Sequence, residues 1–140
     1  MKPFSILIVA DDDTERSDFA AIVENAHHHA TVAERGQEAL ALLRTTRFDV
    51  ILADVILDDI DGLQVIRTAK SLQPNARIIA MAGNNRFLAP SFCLRLATAM
   101  GSHAVLTKPF SLQELLMAID GSLHENDSRS PLVACSTKRA

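Results

Sequence analysis

A chain of 140 residues, 48% hydrophobic and 22% charged, can bury the core of one globular domain and has little left over for a second. Its 14 Lys and Arg against 17 Asp and Glu leave a net charge of −3, and the cations are scattered rather than striped, so there is no basic field for nucleic acid or an anionic membrane. No apolar run approaches the roughly 20 residues of a membrane span, and the opening MKPFSILIVADDD meets carboxylates too soon for a signal peptide, which makes a cytoplasmic protein the expectation.

Short apolar runs alternate with helical patterns five times, the signature of a parallel sheet covered by helices. The first strand is expected at Ile6 to Val9, followed from about Thr14 by a helix with Phe19, Ile22, Val23 and Ala26 on one face; Asp12 and Glu15 form a D-x-x-E start signal. The triplet His27-His28-His29 fits a plain helix end, with an imidazolium favoured by the helix dipole, better than a metal site, since three adjacent side chains diverge. A short strand near Thr31 to Ala33 leads through Gly36 to a helix carrying Ala39, Leu40 and Leu43. The all-apolar VILA, residues 50 to 53, suits a central strand buried on both faces, and it ends at Asp54.

After the loop VILDDIDG, a helix is expected from about Leu63 to Leu72, stopped by Pro74. This loop is no calcium loop: with Gly62 as the invariant glycine, Leu57 and Thr68 fall where acidic ligands are needed. RIIAMA, residues 77 to 82, is the fourth strand; a helix with Cys93, Leu96, Ala97 and Met100 on one face follows, then the fifth strand AVLT, residues 104 to 107. Ser111 and Glu114 make a capping box for a last helix with Leu115, Leu116, Ile119 and Leu123. From about Asn126 the text has turn formers, mixed charge and no period, so a folded unit over residues 1–124 and a flexible tail over 125–140 are expected. Cys93 and Cys135 read as free thiols.

In an open parallel sheet the carboxyl ends of the strands share one edge, and ligands bind where strand order reverses. Asp11 to Asp13 follow the first strand, Asp54 the third and Lys108 the fifth, so the fold would gather acids and one lysine there. Such a cluster suits Mg²⁺ and phosphoryl chemistry. The strand ending in acids, ILADVILDDIDG, RGQEALALL and VLTKPF together resemble the response-regulator receiver domain (CheY-like), over residues 5 to about 124. The resemblance implies a doubly wound five-stranded parallel sheet in order 2-1-3-4-5 with five helices. It implies that Asp54 accepts a phosphoryl group from a histidine kinase or histidine phosphotransfer protein. It also implies Mg²⁺ held by the acids after strand one, Asp54 and the backbone carbonyl of Ile56, with Lys108 pairing with the phosphoryl group and Pro109 following a cis peptide.

Four departures from the family's pattern bear on that reading. With Arg16, Gly36 and Asp54 held in step, the usual acidic pair falls on Ala10 and Asp11, so one acid is missing; Asp12 then starts the helix and Asp13 is a solvated first-turn acid. The alternative makes Asp11 and Asp12 the pair and requires a one-residue bulge. The switch positions, ordinarily Thr or Ser and Tyr or Phe, are Ala82 and Val105, and neither can act in the usual way. Asp58 replaces a common loop proline, which packs three acids into LDDIDG near the metal, where they either attract Mg²⁺ or form a solvated acidic loop. The loop after strand four is long, and its Asn84 stands at a position that borders the phosphoryl group or is simply a turn residue.

The leading expectation is a single-domain receiver that is no conventional turnover enzyme and signals by binding an unknown protein partner. The face of the fourth helix, fifth strand and fifth helix is the family's usual surface for a partner or homodimer. The alternative is a pseudo-receiver whose interactions no longer depend on phosphate. A phosphohydrolase using Asp54 lacks its second acid, since that position is Ile56.

Overall fold

The computed structural model describes residues 2–57, 59–83 and 89–122. Within them five strands, β1 (Ser5–Val9), β2 (His29–Ala33), β3 (Val50–Asp54), β4 (Arg77–Ala82) and β5 (Ala104–Thr107), alternate with five helices, α1 (Asp13–Asn25), α2 (Gly36–Thr45), α3 (Gly62–Leu72), α4 (Pro90–Met100) and α5 (Leu112–Asp120). All strand pairings are parallel, in the order β2-β1-β3-β4-β5. The order reverses between β1 and β3, which puts the topological switch point at the ends of those two strands.

Side chains alternate across the sheet and sort the core into two layers. Leu7, Val9, Ile51, Ala53, Ile78 and Ala80 face α2, α3 and α4 and pack with Leu40, Val65, Ile66 and Ala97. Ile6, Ile8, Leu52, Ile79 and Met81 face the other way and pack with Phe19 and Val23 of α1 and Leu115, Ala118 and Ile119 of α5. Every residue of β3 is buried, so its apolar run reflects cover on both faces. Truncating Leu52, which is wholly buried, to Ala would cost about 2–5 kcal/mol.

β2 begins at His29, two residues earlier than its composition suggests. It is an edge strand with an exposed or half-exposed pattern up to Ala33, so it needs no apolar run. The histidine triplet divides into three different environments. His27 takes a positive φ of 74° just after α1, and His29 opens β2. His28 is buried, stacks on Phe4 with ring centroids 5.1 Å apart, and accepts the Phe4 N–H at its Nδ1 at 3.0 Å. Burial, then the neighbouring His27 and His29, hold its pKa below the ordinary histidine value. The expectation of an imidazolium therefore fails at His28: an Nδ1 that accepts a backbone N–H carries no proton, and the ring serves as an apolar plug with one acceptor.

α5 has the full capping box, with Ser111 Oγ accepting the Glu114 N–H and Glu114 Oε1 accepting the Ser111 N–H. α4 carries Cys93 as a buried free thiol. Leu123, Cys135 and the tail over 125–140 lie outside the described residues. Among the described residues no helix is long and apolar enough to cross a membrane.

Candidate functional site at the carboxyl ends of β1, β3 and β5

Asp54 is the last residue of β3, paired in register with Met81 of β4, and it is 7% exposed. The next residue is locked in place by a Val55 N–H to Met81 carbonyl bond of 2.9 Å. The chain then turns back on itself through an Ile56–Asp61 bridge, and the Gly62 N–H reaches the Val55 carbonyl at 2.9 Å. This turn brings Gly62 so close that a Cβ there would collide with the Asp54 and Val55 carbonyl oxygens and lie 2.6 Å from the Val55 carbonyl carbon. Only glycine permits the approach.

Lys108 follows β5, anchored by its N–H on the Ala82 carbonyl at 2.8 Å, and the Lys108–Pro109 bond is cis, as the resemblance implies. Its Nζ lies 2.6 Å from Asp54 Oδ1. The pair sets one buried carboxylate oxygen against the ammonium, and opposite charge holds it. Burial raises Asp54 from 3.8 to about 6, against the attraction of Lys108; the charges of Glu15 and Asp11 push the same way as burial. For Lys108 burial lowers the pKa, but Asp54 and then Glu15 more than reverse this, and the group stays cationic.

Glu15 is the residue that sequence reasoning misplaced. Asp12 accepts the Glu15 N–H at 2.9 Å and so caps α1, but the Glu15 carboxylate does not return to the cap. It points across the sheet edge to Lys108, with Oε1 2.6 Å from Nζ. A contact between residues 93 apart in the chain leaves no local signal; the only clue was a Glu on the first turn of the helix after β1, facing the same edge as Lys108.

β1 runs into Ala10 without a bulge. It keeps one continuous register with β2 and β3 up to Val9, and the Ala10 N–H extends the ladder to the Ala33 carbonyl at 3.3 Å. Ala10 is completely buried. Arg16 closes the turn by donating from Nη1 to the Ala10 and Asp11 carbonyls at 2.8 and 3.2 Å, and its Nη2 pairs with exposed Asp13. Asp13 is thus exposed as expected, but it has a partner. With Asp12 engaged as the cap, Asp11 is the acid of the run whose charge is felt at Asp54.

The acidic loop departs from expectation. Asp59 turns away to α2, whose own N-cap Arg35 supplies no side-chain acceptor; its two oxygens accept the Gly36 and Gln37 N–H groups at 2.8 and 2.9 Å. These bonds, the one from Gln37 first, hold its pKa below the usual value. Asp61 caps α3 by accepting the Leu63 N–H at 3.0 Å. Two of the three acids therefore act as helix caps rather than crowding a metal, and the third, Asp58, lies outside the described residues, as does Asn84. Ala82 is buried at the end of β4, and Val105 packs half-buried against the α4 side of the core, so both switch positions are filled by hydrocarbon.

Among the described residues no three His, Cys, Asp or Glu side chains are gathered closely enough to enclose a metal by themselves. A sparse set, with Asp11, Asp54 and the Ile56 carbonyl at one sheet edge, is still compatible with Mg²⁺, which binds through one or two carboxylates and keeps several waters. Beside it opens a cleft of about 490 Å³ lined by Glu15, Asp18, Phe19, Gly83, Lys108 and Phe110.

A parallel sheet in order 2-1-3-4-5, with a buried aspartate at its switch point and a lysine from β5 against it, defines the CheY-like class of α/β proteins. The chain belongs to the response regulator receiver domain family, which it matches over residues 6–120, and so is a receiver domain of two-component signalling. It is 29% identical over 118 residues to the response regulator receiver protein CpdR of Brucella abortus, covering 84% of this chain and 95% of that protein. It is 27% identical over 125 residues to the transcriptional regulatory protein GlrR of Escherichia coli K12, covering 89% of this chain but only 27% of GlrR, so it spans about a quarter of that relative. A response regulator structure from Burkholderia pseudomallei superposes with a TM-score of 0.76 at 26% identity, over 91% of this chain and 71% of that one. It holds a phosphorylated aspartic acid, a calcium ion and citrate.

Proposed function

We propose that Asp54 is the phosphoacceptor of this receiver and that a histidine kinase or histidine phosphotransfer protein supplies the phosphoryl group. The observation that carries the reading is the contact of 2.6 Å between Lys108 Nζ and the buried Asp54 carboxylate at the switch point. An Asp54 oxygen attacks phosphorus, the new O–P bond forms as the bond from phosphorus to the donor breaks, and the donor keeps the electron pair. Lys108 faces the negative charge of the transferred group. Burial raises the free energy of the Asp54 anion, so converting it to an acyl phosphate whose charge lies further out relieves part of that cost.

The residues suited to Mg²⁺ are Asp11, Asp54 and the backbone carbonyl of Ile56. The ion would neutralise charge on the arriving phosphoryl oxygens. With Ala10 in the place of a second acid, this set gives weaker Mg²⁺ binding than a full pair. Output passes to a protein partner, for which the α4, β5 and α5 surface is the candidate face; Phe92 of α4 and Leu112 of α5 are exposed.

The test is incubation with acetyl phosphate, or with beryllofluoride, with and without Mg²⁺. A mass increase of one phosphoryl group that requires Mg²⁺ and disappears in Asp54→Asn supports the reading. Absence of any Asp54-dependent, Mg²⁺-dependent change at millimolar metal would overturn it.

A further inference from the structure

The first turns of α1 and α5 carry the same cap pattern and use it differently. In α5 the Glu at the third helical position folds back on its cap, Glu114 Oε1 accepting the Ser111 N–H at 2.9 Å. In α1 the equivalent residue, Glu15, forgoes that bond and reaches Lys108 instead. Its backbone is fixed by the Asp12 cap, so only the side chain chooses between the two partners. Lys108 Nζ consequently lies between two carboxylates, Glu15 Oε1 and Asp54 Oδ1, each at 2.6 Å. The lysine that would meet a phosphoryl oxygen is already shared with a second acid.

Glu15 also has somewhere to go. Its side chain is 37% exposed and lines the cleft that runs past Asp18, Phe19 and Phe110, and its position in α1 offers the Asp12 backbone as the alternative partner, as Glu114 finds in α5. The ammonium has three donors, but a phosphoryl group beside Glu15 would set like charges against each other around one cation.

We propose that Glu15 is a resident competitor for Lys108, whose carboxylate must swing off the ammonium into the cleft before a phosphoryl oxygen can take its side of the lysine. It is a positioning residue: it acts on the Asp54 chemistry through Lys108 and sets how tightly the phosphoryl group is held. The inference rests on Asp54 being the phosphoacceptor. It differs from a metal-ligand role for Glu15, which would compensate for Ala10, because the carboxylate sits on the cation of the site and among the described residues no three acids are gathered around a common point.

Beryllofluoride binding in Mg²⁺ buffer, followed by ¹⁹F NMR, tests this in the wild type, Glu15→Gln, Glu15→Ala and Asp54→Asn, with Mg²⁺ affinity measured alone in parallel. Removing the competitor should tighten beryllofluoride binding about tenfold in both Glu15 variants, the scale of one charge-assisted contact, while thermal unfolding shows them folded. Binding unchanged within about twofold, or weaker, overturns the inference, as does a tenfold loss of Mg²⁺ affinity in Glu15→Gln, which would make Glu15 a metal ligand. An Asp54-dependent adduct in the wild type that the Glu15 variants leave unaltered refutes the competitor alone. No Asp54-dependent adduct in any variant refutes the phosphoacceptor reading and the competitor with it.

Discussion

Neutralising the candidate phosphoacceptor should stabilise the fold, by an amount that depends on pH. Asp54 is buried, and its pKa of about 6 stands above the ordinary 3.8 because burial outweighs the attraction of Lys108. A carboxyl group raised in the folded state contributes stability that is fully present below its unfolded pKa and is lost as pH rises through the folded one. The window here runs from 3.8 to about 6. At about 1.36 kcal/mol per unit, a gap of roughly two units means that the ionised group opposes folding by about 3 kcal/mol above the window. Asp54→Asn has no charge to bury, so in metal-free buffer near pH 7.5 it should be more stable than the wild type. The ceiling on the gain is about 3 kcal/mol, reduced because Lys108 then loses one of its two anionic contacts among the described residues and keeps Glu15. Urea unfolding with EDTA at about pH 4, 5.5 and 7.5 measures the difference. The gain should shrink as pH falls and be gone near pH 4. A destabilised Asp54→Asn at pH 7.5, or a difference that is the same at all three values, would refute the assignment of burial as the dominant influence on this group.

Gly62→Ala should cost more than about 2 kcal/mol in the same assay, since the added Cβ meets backbone at Asp54 and Val55 that is tied to β4; a change below about 0.5 kcal/mol would show that the turn can relax. Ala10→Asp should tighten Mg²⁺ by restoring the acid at the end of β1, measured by calorimetry because the chain has no Trp or Tyr to report fluorescence. Asp12→Ala should instead leave Mg²⁺ affinity alone and lose about 0.5–2 kcal/mol as its cap bond disappears; the reverse pattern would make Asp11 and Asp12 the metal pair. In a ¹⁵N NMR titration the His28 ring should stay neutral below the ordinary histidine pKa with its proton on Nε2, and a protonated Nδ1 at neutral pH would contradict the bond from Phe4.

The fold was legible because the inner strands β1, β3 and β4 are covered on both faces and write apolar runs, and the edge strand β5 still buries Ala104 and Leu106; β4 and β5 have the bounds that their composition suggests. β2 was cut short because only its last residue, Ala33, is buried, so its first residues need not be apolar. Asp54 and Lys108 could be placed together once strand ends were known, since topology alone brings the ends of β3 and β5 to one edge. Glu15 and Asp59 were misread for a common reason. Each has a local role that its sequence position suggests, and each satisfies a partner elsewhere in the fold that no local pattern names: Lys108 for one, the amide groups of α2 for the other. His28 was misread because a histidine next to a helix end looks solvated until Phe4 is stacked on it.

The loop after Asp54 has an electrical consequence that its spelling conceals. Asp59 and Asp61 each direct their negative charge at the positive end of a helix, α2 and α3 respectively, where the backbone dipoles answer it. The charges felt most strongly at Asp54 come from Lys108, Glu15 and Asp11 instead. Asp59 and Asp61, which look like part of a barrier to any polyanion, therefore spend their charge on helix ends rather than on Asp54. Among the described residues the acids whose charge reaches Asp54 are Asp11 and Glu15, both from the start of the chain, so an engineer wishing to change the field at that carboxylate should begin with them rather than with Asp59 or Asp61.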